Sequence, residues 1–320
     1  MDKRQFLGTS LAALALPAAT WAADAPYPIH PLRFTVLNPP GGASDIMARL
    51  MGQRVGDSLG QPVLIENRPG KSVGMLYVKN AAPDGYNFVL GGFSPTVVPQ
   101  YLSKISYDME RDYMPVSMVA TAPVVVVVKA DAPYSDVKGF IAAVKAKGSG
   151  YNFGTGGTGT IAHLLGEVIN DSAHAEMQHI PYKGSIQAVN DVLAGQIDMV
   201  PGDPSVVVPQ IRSGKLKAIA VTSPQRFSLL PEVPTFAESG MPDVVGLNPY
   251  AVYLPAGVPQ PVFDKFRAAL VGAMTNPELV AKFKELGVDA VSSTPEEVRD
   301  FLRTNGAKYG KLIKERNIKE

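Results

Sequence analysis

Cysteine is absent from the 320-residue sequence, which excludes disulfides, thiolate zinc sites, iron–sulfur clusters and cysteine nucleophiles. The four histidines form no His-Glu-x-x-His pair, and their spacing fits no common metal site. The sequence also lacks a Gly-x-Ser-x-Gly elbow and a Walker loop. We therefore expect no catalytic residues, no bound metal and no cofactor.

An excess of charge of one sign is also missing, because 30 basic side chains are balanced by 29 acidic ones. Proteins that bind nucleic acid or an anionic membrane surface usually carry a basic patch. The sequence therefore predicts neither partner.

Long apolar runs are scarce, and the one near the start, Phe6–Ala19, is shorter than the roughly 20 residues that span a membrane. It follows two basic residues and precedes small ones, so residues 1–25 are predicted to be a signal peptide cleaved after Ala22 or Ala25. The segment Lys3–Leu7 also looks like a weakened twin-arginine signal, which leaves the export route open. Either route predicts an exported protein, and a Gram-negative periplasm fits.

What is present is an ordinary globular composition, with 46% hydrophobic and 18% charged residues, and a length that suggests about two domains. Short apolar runs alternate with amphipathic stretches, which favours an α/β fold with largely parallel sheets. Strands are predicted over Arg33–Leu37, Val63–Glu66, Phe88–Gly91, Val124–Lys129, Tyr151–Phe153, Met177–Ile180, Ile197–Val200, Lys217–Val221 and Tyr250–Leu254. Helices are predicted over Ser44–Leu59, Val137–Lys147, Thr160–Asn170, Ile186–Leu193, Val262–Met274 and Pro295–Ile318.

Five consecutive valines, Val124–Val128, show no polar alternation, so both faces of this strand should be buried. Such a segment suits a central strand or a crossover between two lobes, and Tyr250–Leu254 is a second crossover candidate. We predict lobe 1 at 27–123 plus 245–300 and an inserted lobe 2 at 124–244. A C-terminal helix at 301–320 is predicted to pack on both lobes.

The first informative loop lies between a predicted strand and a predicted helix. Its candidate ligand-binding residues are Pro40, Gly41, Gly42, Ala43, Ser44 and Asp45. The unpaired amides and partial positive charge of a helix start can bind a carboxylate without any lysine or arginine. Asp45 either complements the helix dipole while Ser44 caps the helix, or it orders the loop or bonds to a ligand. A plain strand–helix turn remains the alternative for the whole loop.

A second loop of the same kind contains the candidates Thr155, Gly156, Gly157, Thr158, Gly159 and Thr160. It formally matches the dinucleotide fingerprint, but no acidic residue ends the next strand as that site requires. His163 lies one turn into the following helix, and a hydrogen-bonded structural histidine is favoured there over a base or ligand.

The third strand–helix junction contains Tyr182, Lys183 and Gly184. Tyr182 could form a pocket wall and Lys183 could contact an anion; the alternative is a half-buried tyrosine and a solvated lysine. Ser185 is a plausible helix N-cap.

Two further candidates, Asp203 and Ser94, also follow predicted strands. Asp203 is either a helix cap or a pocket residue, and capping is favoured. Because open α/β sheets bind ligands beyond the carboxyl ends of their strands, these junctions predict a cleft between the lobes.

Short motifs recur along the chain in a specific order: Pro40-Gly41-Gly42-x-x-Asp45, Glu66-Asn67-Arg68-Pro69-Gly70, Pro83-Asp84-Gly85-Tyr86, Tyr107-Asp108, Gly156-x-x-Gly159-Thr160-x-x-His163-Leu164, Pro181-Tyr182-x-Gly184-x-x-x-Ala188, Ala220-Val221-Thr222-Ser223, Leu230-Pro231-x-Val233-Pro234-Thr235, Pro255-Ala256-Gly257 and Thr294-Pro295-Glu296-Glu297. In order and spacing they resemble the periplasmic receptors of tripartite tricarboxylate transporters, often called the Bug receptor family. The resemblance covers nearly all of the mature chain.

This resemblance implies a two-lobed, type II-like periplasmic binding protein in which each lobe is a mostly parallel sheet flanked by helices. It implies that a small carboxylate is bound between the loop at Pro40–Asp45 and the loops near Thr155–Thr160 and Tyr182–Gly184. It further implies delivery of the cargo to a two-subunit membrane permease, and we expect the receptor to be a monomer. A ligand-presenting sensor for a membrane kinase, or an exported hydrolase using Asp45 and His163, are the alternatives.

The sequence departs from the family pattern at three places. Lys71–Gly74 replaces a longer glycine-rich loop, Asn248-Pro249-Tyr250 stands where a tryptophan is usual, and Val98-Pro99 stands where Asn-Pro is frequent. These positions are predicted to border the distal part of the pocket. The cargo therefore stays open among aliphatic dicarboxylates, an aromatic carboxylate and an acidic amino acid.

Overall fold

The computed structural model describes residues 26–70 and 72–319, so the predicted signal peptide and Lys71 lie outside the described residues. The described strands are β1 (Leu32–Val36), β2 (Val63–Asn67), β3 (Asn87–Gly92), β4 (Tyr113–Pro123), β5 (Val125–Lys129), β6 (Asn152–Thr155), β7 (Gln178–Pro181), β8 (Met199–Gly202), β9 (Leu216–Val221), β10 (Leu247–Pro255) and β11 (Asp289–Ala290). The described helices are α1 (Ala43–Leu59), α2 (Val73–Lys79), α3 (Phe93–Thr96), α4 (Pro99–Leu102), α5 (Val137–Lys147), α6 (Ile161–Ala173), α7 (Ser185–Ala194), α8 (Pro204–Arg212), α9 (Gln260–Met274), α10 (Pro277–Glu285) and α11 (Pro295–Glu315).

The strands form two sheets. The first has the order β11-β4-β10-β3-β1-β2, and β1 pairs in parallel with both β2 and β3. β10 runs antiparallel to β3 and β4, and β11 runs antiparallel to β4. Four of the six strands described for this sheet therefore share one direction. Helices α1 and α9 bury their apolar faces against it, where Phe34, Phe88 and Phe266 lie in the core.

The second sheet has the order β7-β6-β8-β5-β9. Its strands β7, β6 and β8 are parallel, and β5 runs antiparallel to both β8 and β9. All five valines of Val124–Val128 are fully buried, because β5 pairs on both edges and side chains cover both of its faces. Among the described strands, this confirms the predicted α/β fold with two helix-flanked sheets.

Two segments of the chain cross between the sheets, and one threonine forms hydrogen bonds with both segments. The chain crosses first at Val124, between β4 and β5, and returns between β9 and β10. Thr222, which is fully buried, accepts a hydrogen bond from the Val124 N–H at 3.0 Å through its hydroxyl and donates to the Gly246 carbonyl at 2.7 Å. We call Val124, Thr222 and Gly246 the hinge clasp. It holds the two crossing segments side by side.

Helix α11 contacts the structural units around both sheets. It begins with a capping box between Thr294 and Glu297, and it packs against β4 of the first sheet and α6 beside the second. Tyr309 lies in a buried cluster with Phe93 and Leu165, which come from the two sides. Division of the chain into lobe 1 (27–123 plus 245–300), lobe 2 (124–244) and a C-terminal segment (301–320) remains our proposal. The names lobe 1 and lobe 2 are used below in that sense.

The predicted elements are all found with small shifts of their ends, but several others were not predicted. β4 is the longest strand that the sequence analysis missed, because Pro115, Ser117 and Pro123 interrupt its apolar pattern. The short helices α2, α3, α4, α8 and α10 were also missed. Within the described residues, no helix combines the length and apolar character needed to cross a membrane.

Candidate ligand-binding site

A cavity of about 470 Å³ lies between the two lobes. Five strand–helix junctions supply polar side chains to it. Ser44 follows β1, Ser94 follows β3, Thr160 follows β6, Ser185 follows β7 and Asp203 follows β8. All five strands therefore present their carboxyl ends to the cavity, which is the position at which open α/β sheets bind ligands.

In lobe 1, the start of α1 contributes a backbone amide to the cavity. Gly42 occupies the N-cap position and makes no side-chain cap, and Ser44 lies inside the first turn and lines the cavity. The alternative in which Ser44 caps this helix is therefore wrong. Because no side chain caps the helix, the Ser44 N–H in its first turn remains available to an anion in the cavity.

Asp45 holds the loop before α1 in place. Its buried carboxylate accepts hydrogen bonds from the Gly41 N–H, from Asn67 and from two guanidinium nitrogens of Arg49, each at 3.0 Å. These bonds, that of Arg49 above all, lower the pKa of Asp45 to about 2. The arrangement corresponds to the loop-ordering alternative, and Asp45 is not part of the cavity lining.

Lobe 2 supplies a second helix start. Thr160 is the N-cap of α6: its hydroxyl accepts a hydrogen bond from the His163 N–H at 3.2 Å and donates to the Gly157 carbonyl at 2.8 Å. Ile161 and Ala162, the first two residues of the helix, line the cavity. Ser94 of lobe 1 donates to the Gly159 carbonyl at 3.1 Å, so the two lobes touch directly beside the cavity.

Two stacked histidines support this second loop from the protein interior. The rings of His163 and His179 lie 3.7 Å apart, nearly parallel. His163 accepts the Gly159 N–H at 3.2 Å through Nδ1, and Nε2 of His179 lies 2.7 Å from the Thr155 hydroxyl. Burial lowers the pKa of His179 to about 4. His163 is thus hydrogen-bonded and buried, as its structural interpretation requires.

The third junction divides its three candidates. Lys183 lines the cavity, whereas Tyr182 does not, because its partly buried ring packs against the lobe 2 core and its hydroxyl donates to Asp191 at 2.7 Å. Gly184 is the N-cap of α7, so the prediction that Ser185 is the cap is wrong by one residue.

Asp203 sits at the N-cap position of α8, but its side chain makes no cap hydrogen bond. The predicted capping role is therefore wrong. Its carboxylate instead accepts a hydrogen bond from the Ser185 hydroxyl at 2.9 Å. Burial raises the pKa of Asp203, and burial with the nearby Asp203 charge raises the pKa of Tyr250. Tyr250 lines the cavity from lobe 1 and accepts a hydrogen bond from Asn248 at 3.1 Å.

Of the residues predicted for the site, the cavity lining includes Ser44, Ser94, Gly156, Thr160, Lys183 and Asp203. The lining does not include Pro40, Gly41, Gly42, Ala43, Asp45, Thr155, Gly157, Thr158, Gly159, Tyr182 and Gly184. The opposed helix starts therefore meet the cavity through Ser44 and Thr160, rather than through Gly42 and Thr158.

Sequence reasoning did not select several other lining residues. Asn38 could have been found because it directly follows the first strand, whereas Phe93 carries no local signal. Asn248 and Tyr250 do border the cavity as the departures from the family pattern predict. Val98 does not: it is fully buried beneath the second loop and packs with α11 residues. Within the described residues, no group of three or more His, Asp or Glu side chains could hold a metal ion.

Comparison with known proteins gives a consistent result. The family model described as tripartite tricarboxylate transporter family receptor matches residues 47–318. Protein BugT of Bordetella pertussis is 34% identical over 306 residues, which cover 94% of each chain. A solved structure described as a periplasmic transporter is 34% identical, with a TM-score of 0.81 over 92% of this chain and 99% of its own. The periplasmic binding protein BugD is 28% identical, with a TM-score of 0.75 over 92% and 100%. The predicted periplasmic-binding-protein fold is confirmed.

Proposed function

Because this chain belongs to the tripartite tricarboxylate transporter receptor family, we propose that it binds a small organic carboxylate in the cavity between its lobes and delivers it to a two-subunit membrane permease. We place the receptor in the periplasm as a monomer, after removal of its signal peptide. The family and the fold are those of solute receptors.

The observation that carries this proposal is the convergence of two helix starts from opposite lobes. The first turn of α1 lines the cavity through Ser44, and that of α6 lines it through Thr160, Ile161 and Ala162. Each helix start favours an anion by about 0.3–1 kcal/mol when exposed and by up to about 2 kcal/mol when partly buried. Lys183 adds a positive side chain to the same cavity.

These contributions are sufficient for useful affinity. A hydrogen bond to a charged group contributes about 1.5–3 kcal/mol, and several of them would give micromolar binding, about −8 kcal/mol, after the cost of ordering. A ligand that contacts both lobes binds the closed arrangement better than the open one, which is the condition for ligand-driven closure.

A thermal-shift screen of mono- and dicarboxylates against refolded protein tests the proposal. We expect at least one carboxylate to raise the melting temperature, with isothermal calorimetry then giving one site per chain. Stabilisation by amines or neutral sugars alone would contradict the proposal.

The helix-start contribution can be tested at the first residue of α6. Ile161→Pro deletes one backbone N–H, and proline fits this position because Thr160 before it is extended at ψ 155°. Ile161→Val is the matched control, since it trims the side chain and keeps the N–H. We expect the proline variant to bind a stabilising carboxylate about tenfold more weakly, and the valine variant to bind within about threefold of the wild type.

Two other functions are separable by experiment. A sensor subunit would bind the same ligand but capture a kinase ectodomain in its presence. A hydrolase using Asp45 and His163 has little support, because the two residues lie in different lobes, neither lines the cavity, and both are engaged by loop-ordering hydrogen bonds. Mass spectrometry after prolonged incubation would return the ligand unchanged from a receptor.

A further inference from the structure

Among the described residues that line the cavity, the two charged side chains are Lys183 and Asp203, both from lobe 2. A lysine suits a carboxylate ligand. An ionised aspartate does not, because two adjacent carboxylates raise the energy of both charged forms, and burial by itself already raises the pKa of Asp203. The presence of Asp203 in the cavity lining therefore requires a separate explanation.

The Asp203 side chain makes few hydrogen bonds with other described residues. It makes no cap hydrogen bond to α8, although it occupies the N-cap position. Among the described residues its carboxylate has one hydrogen-bond partner, the Ser185 hydroxyl at 2.9 Å, and no basic side chain pairs with it. A carboxylate can accept about four hydrogen bonds, so most of its capacity is unused.

The surroundings make that unused capacity costly. Asp203 is partly buried, is hydrogen-bonded to Ser185 of α7, and lines the same cavity as Tyr250 of β10. Removing a carboxylate from water is unfavourable unless donors replace the lost water. The Ser185 bond holds the side chain beside the cavity, where a bound molecule can supply the remaining donors.

We propose that the cargo carries a hydrogen-bond donor, an ammonium or a hydroxyl group, a few bonds away from its carboxylate, and that Asp203 selects for this donor. This inference rests on the proposed function, because the carboxylate end is assigned to the helix starts. Ser185 positions the Asp203 carboxylate. Unsubstituted dicarboxylates are disfavoured, since their second carboxylate would meet the aspartate.

Three four-carbon ligands form the decisive series: succinate, malate and aspartate share two carboxylates and differ only in a hydrogen, a hydroxyl or an ammonium on one carbon. Propionate, lactate and alanine repeat the comparison with one carboxylate. Calorimetry on the full mature chain should show malate or aspartate, or lactate or alanine, binding at least about tenfold more tightly than the unsubstituted member of its series. The hydroxyl and ammonium arms identify which donor is used.

Asp203→Asn keeps the size of the side chain and its bond to Ser185, and it removes the charge. It should reduce the preference for an ammonium ligand to about threefold or less and improve succinate binding. Asp131→Asn, which removes an exposed aspartate of the same lobe, is the control and should leave the preference unchanged. Should Asp203→Asn fail to fold, the wild-type ratio and Ser185→Ala, which should lower the preference, still decide the question.

Binding of succinate or propionate as tightly as the donor-bearing ligands, with no change in Asp203→Asn, would overturn the role of Asp203 and leave the carboxylate receptor intact. Absence of binding by every carboxylate in both series would contradict the proposed function itself.

Discussion

Individual side chains around the cavity perform two separate tasks. Asp45, His163 and Thr155 hold the loops through hydrogen bonds, and they are not part of the cavity lining. Lys183 and Asp203 face the cavity. Substitutions in the first group should therefore change stability first, and substitutions in the second should change affinity first.

His179 provides a test in the first group. Burial lowers its pKa from 6.5 to about 4, so the unfolded chain binds more protons than the folded one between these values. Its contribution to stability is therefore complete above about pH 6.5 and is lost as the pH falls towards 4. We expect the unfolding free energy of the wild type to fall between pH 7 and pH 5 by about 1–2 kcal/mol more than that of His179→Asn.

Urea unfolding at the two pH values measures this difference. His174→Asn replaces a histidine exposed on the surface and is the control for the loss of one histidine. Equal slopes for the wild type and His179→Asn would contradict the assigned role of burial.

At this scale the sequence identified residue types better than their orientations. Position after a strand predicts Ser44, Thr160, Lys183 and Asp203 as site residues, and the cavity lining includes them. Tyr182 also follows a strand, yet its ring packs against the core and not into the cavity. The direction of a side chain depends on neighbours that are distant in sequence. The sequence predicts Ser185 only as a helix cap for the same reason, since its hydrogen-bond partner Asp203 lies 18 residues away.

Elements whose signal is local were the predictable ones. The strand–glycine–helix units before α1 and α6 combine a buried apolar run with residues that permit a sharp turn, and both signals lie within about ten residues. β4 carries no such signal. It is a strand because β10 and β11 pair with it on either side, and these are more than 120 residues further along the chain.

Gly159 tests how tightly one of these units is built. Its φ of +73° favours glycine, and a Cβ there would overlap the Leu102 side chain of lobe 1. Gly195, at the end of α7, has φ of +75° but open space around it. We expect Gly195→Ala to cost about 1 kcal/mol and Gly159→Ala to cost a further 1–3 kcal/mol or so, measured by urea unfolding. Equal costs would show that the contact with Leu102 is not tight.

On the scale of the whole molecule, the hinge clasp determines how the lobes are joined. The sequence indicated the two crossings, because an unbroken valine run and a strand after a proline-rich segment both stood out. It gave no sign that Thr222 bonds to both crossing segments, since Val124 and Gly246 lie 98 and 24 residues away.

Thr222→Val removes the hydroxyl and keeps the shape of the side chain, which leaves the buried Val124 N–H without its acceptor. We expect a loss of about 1–3 kcal/mol in unfolding free energy, and Thr222→Ser should retain most of the wild-type value. Differential scanning calorimetry on the three proteins provides the comparison. A valine variant as stable as the wild type would show that the clasp contributes no net stability.

The cavity lining is drawn from positions as far apart as Leu37 and Tyr250, with all seven lobe 2 contributors confined to the stretch between Gly156 and Asp203. Lys183 and Asp203 thus both lie in the inserted segment. The helix start that contains Ser44 lies in the part of the chain before the insert. A chimera that exchanges only the insert would replace Lys183, Asp203 and the start of α6 together, and it would keep only the α1 helix start of the proposed anion site. The proposed anion site is therefore encoded in both parts of the chain, whereas the charged side chains described in the cavity lining are encoded in the insert alone.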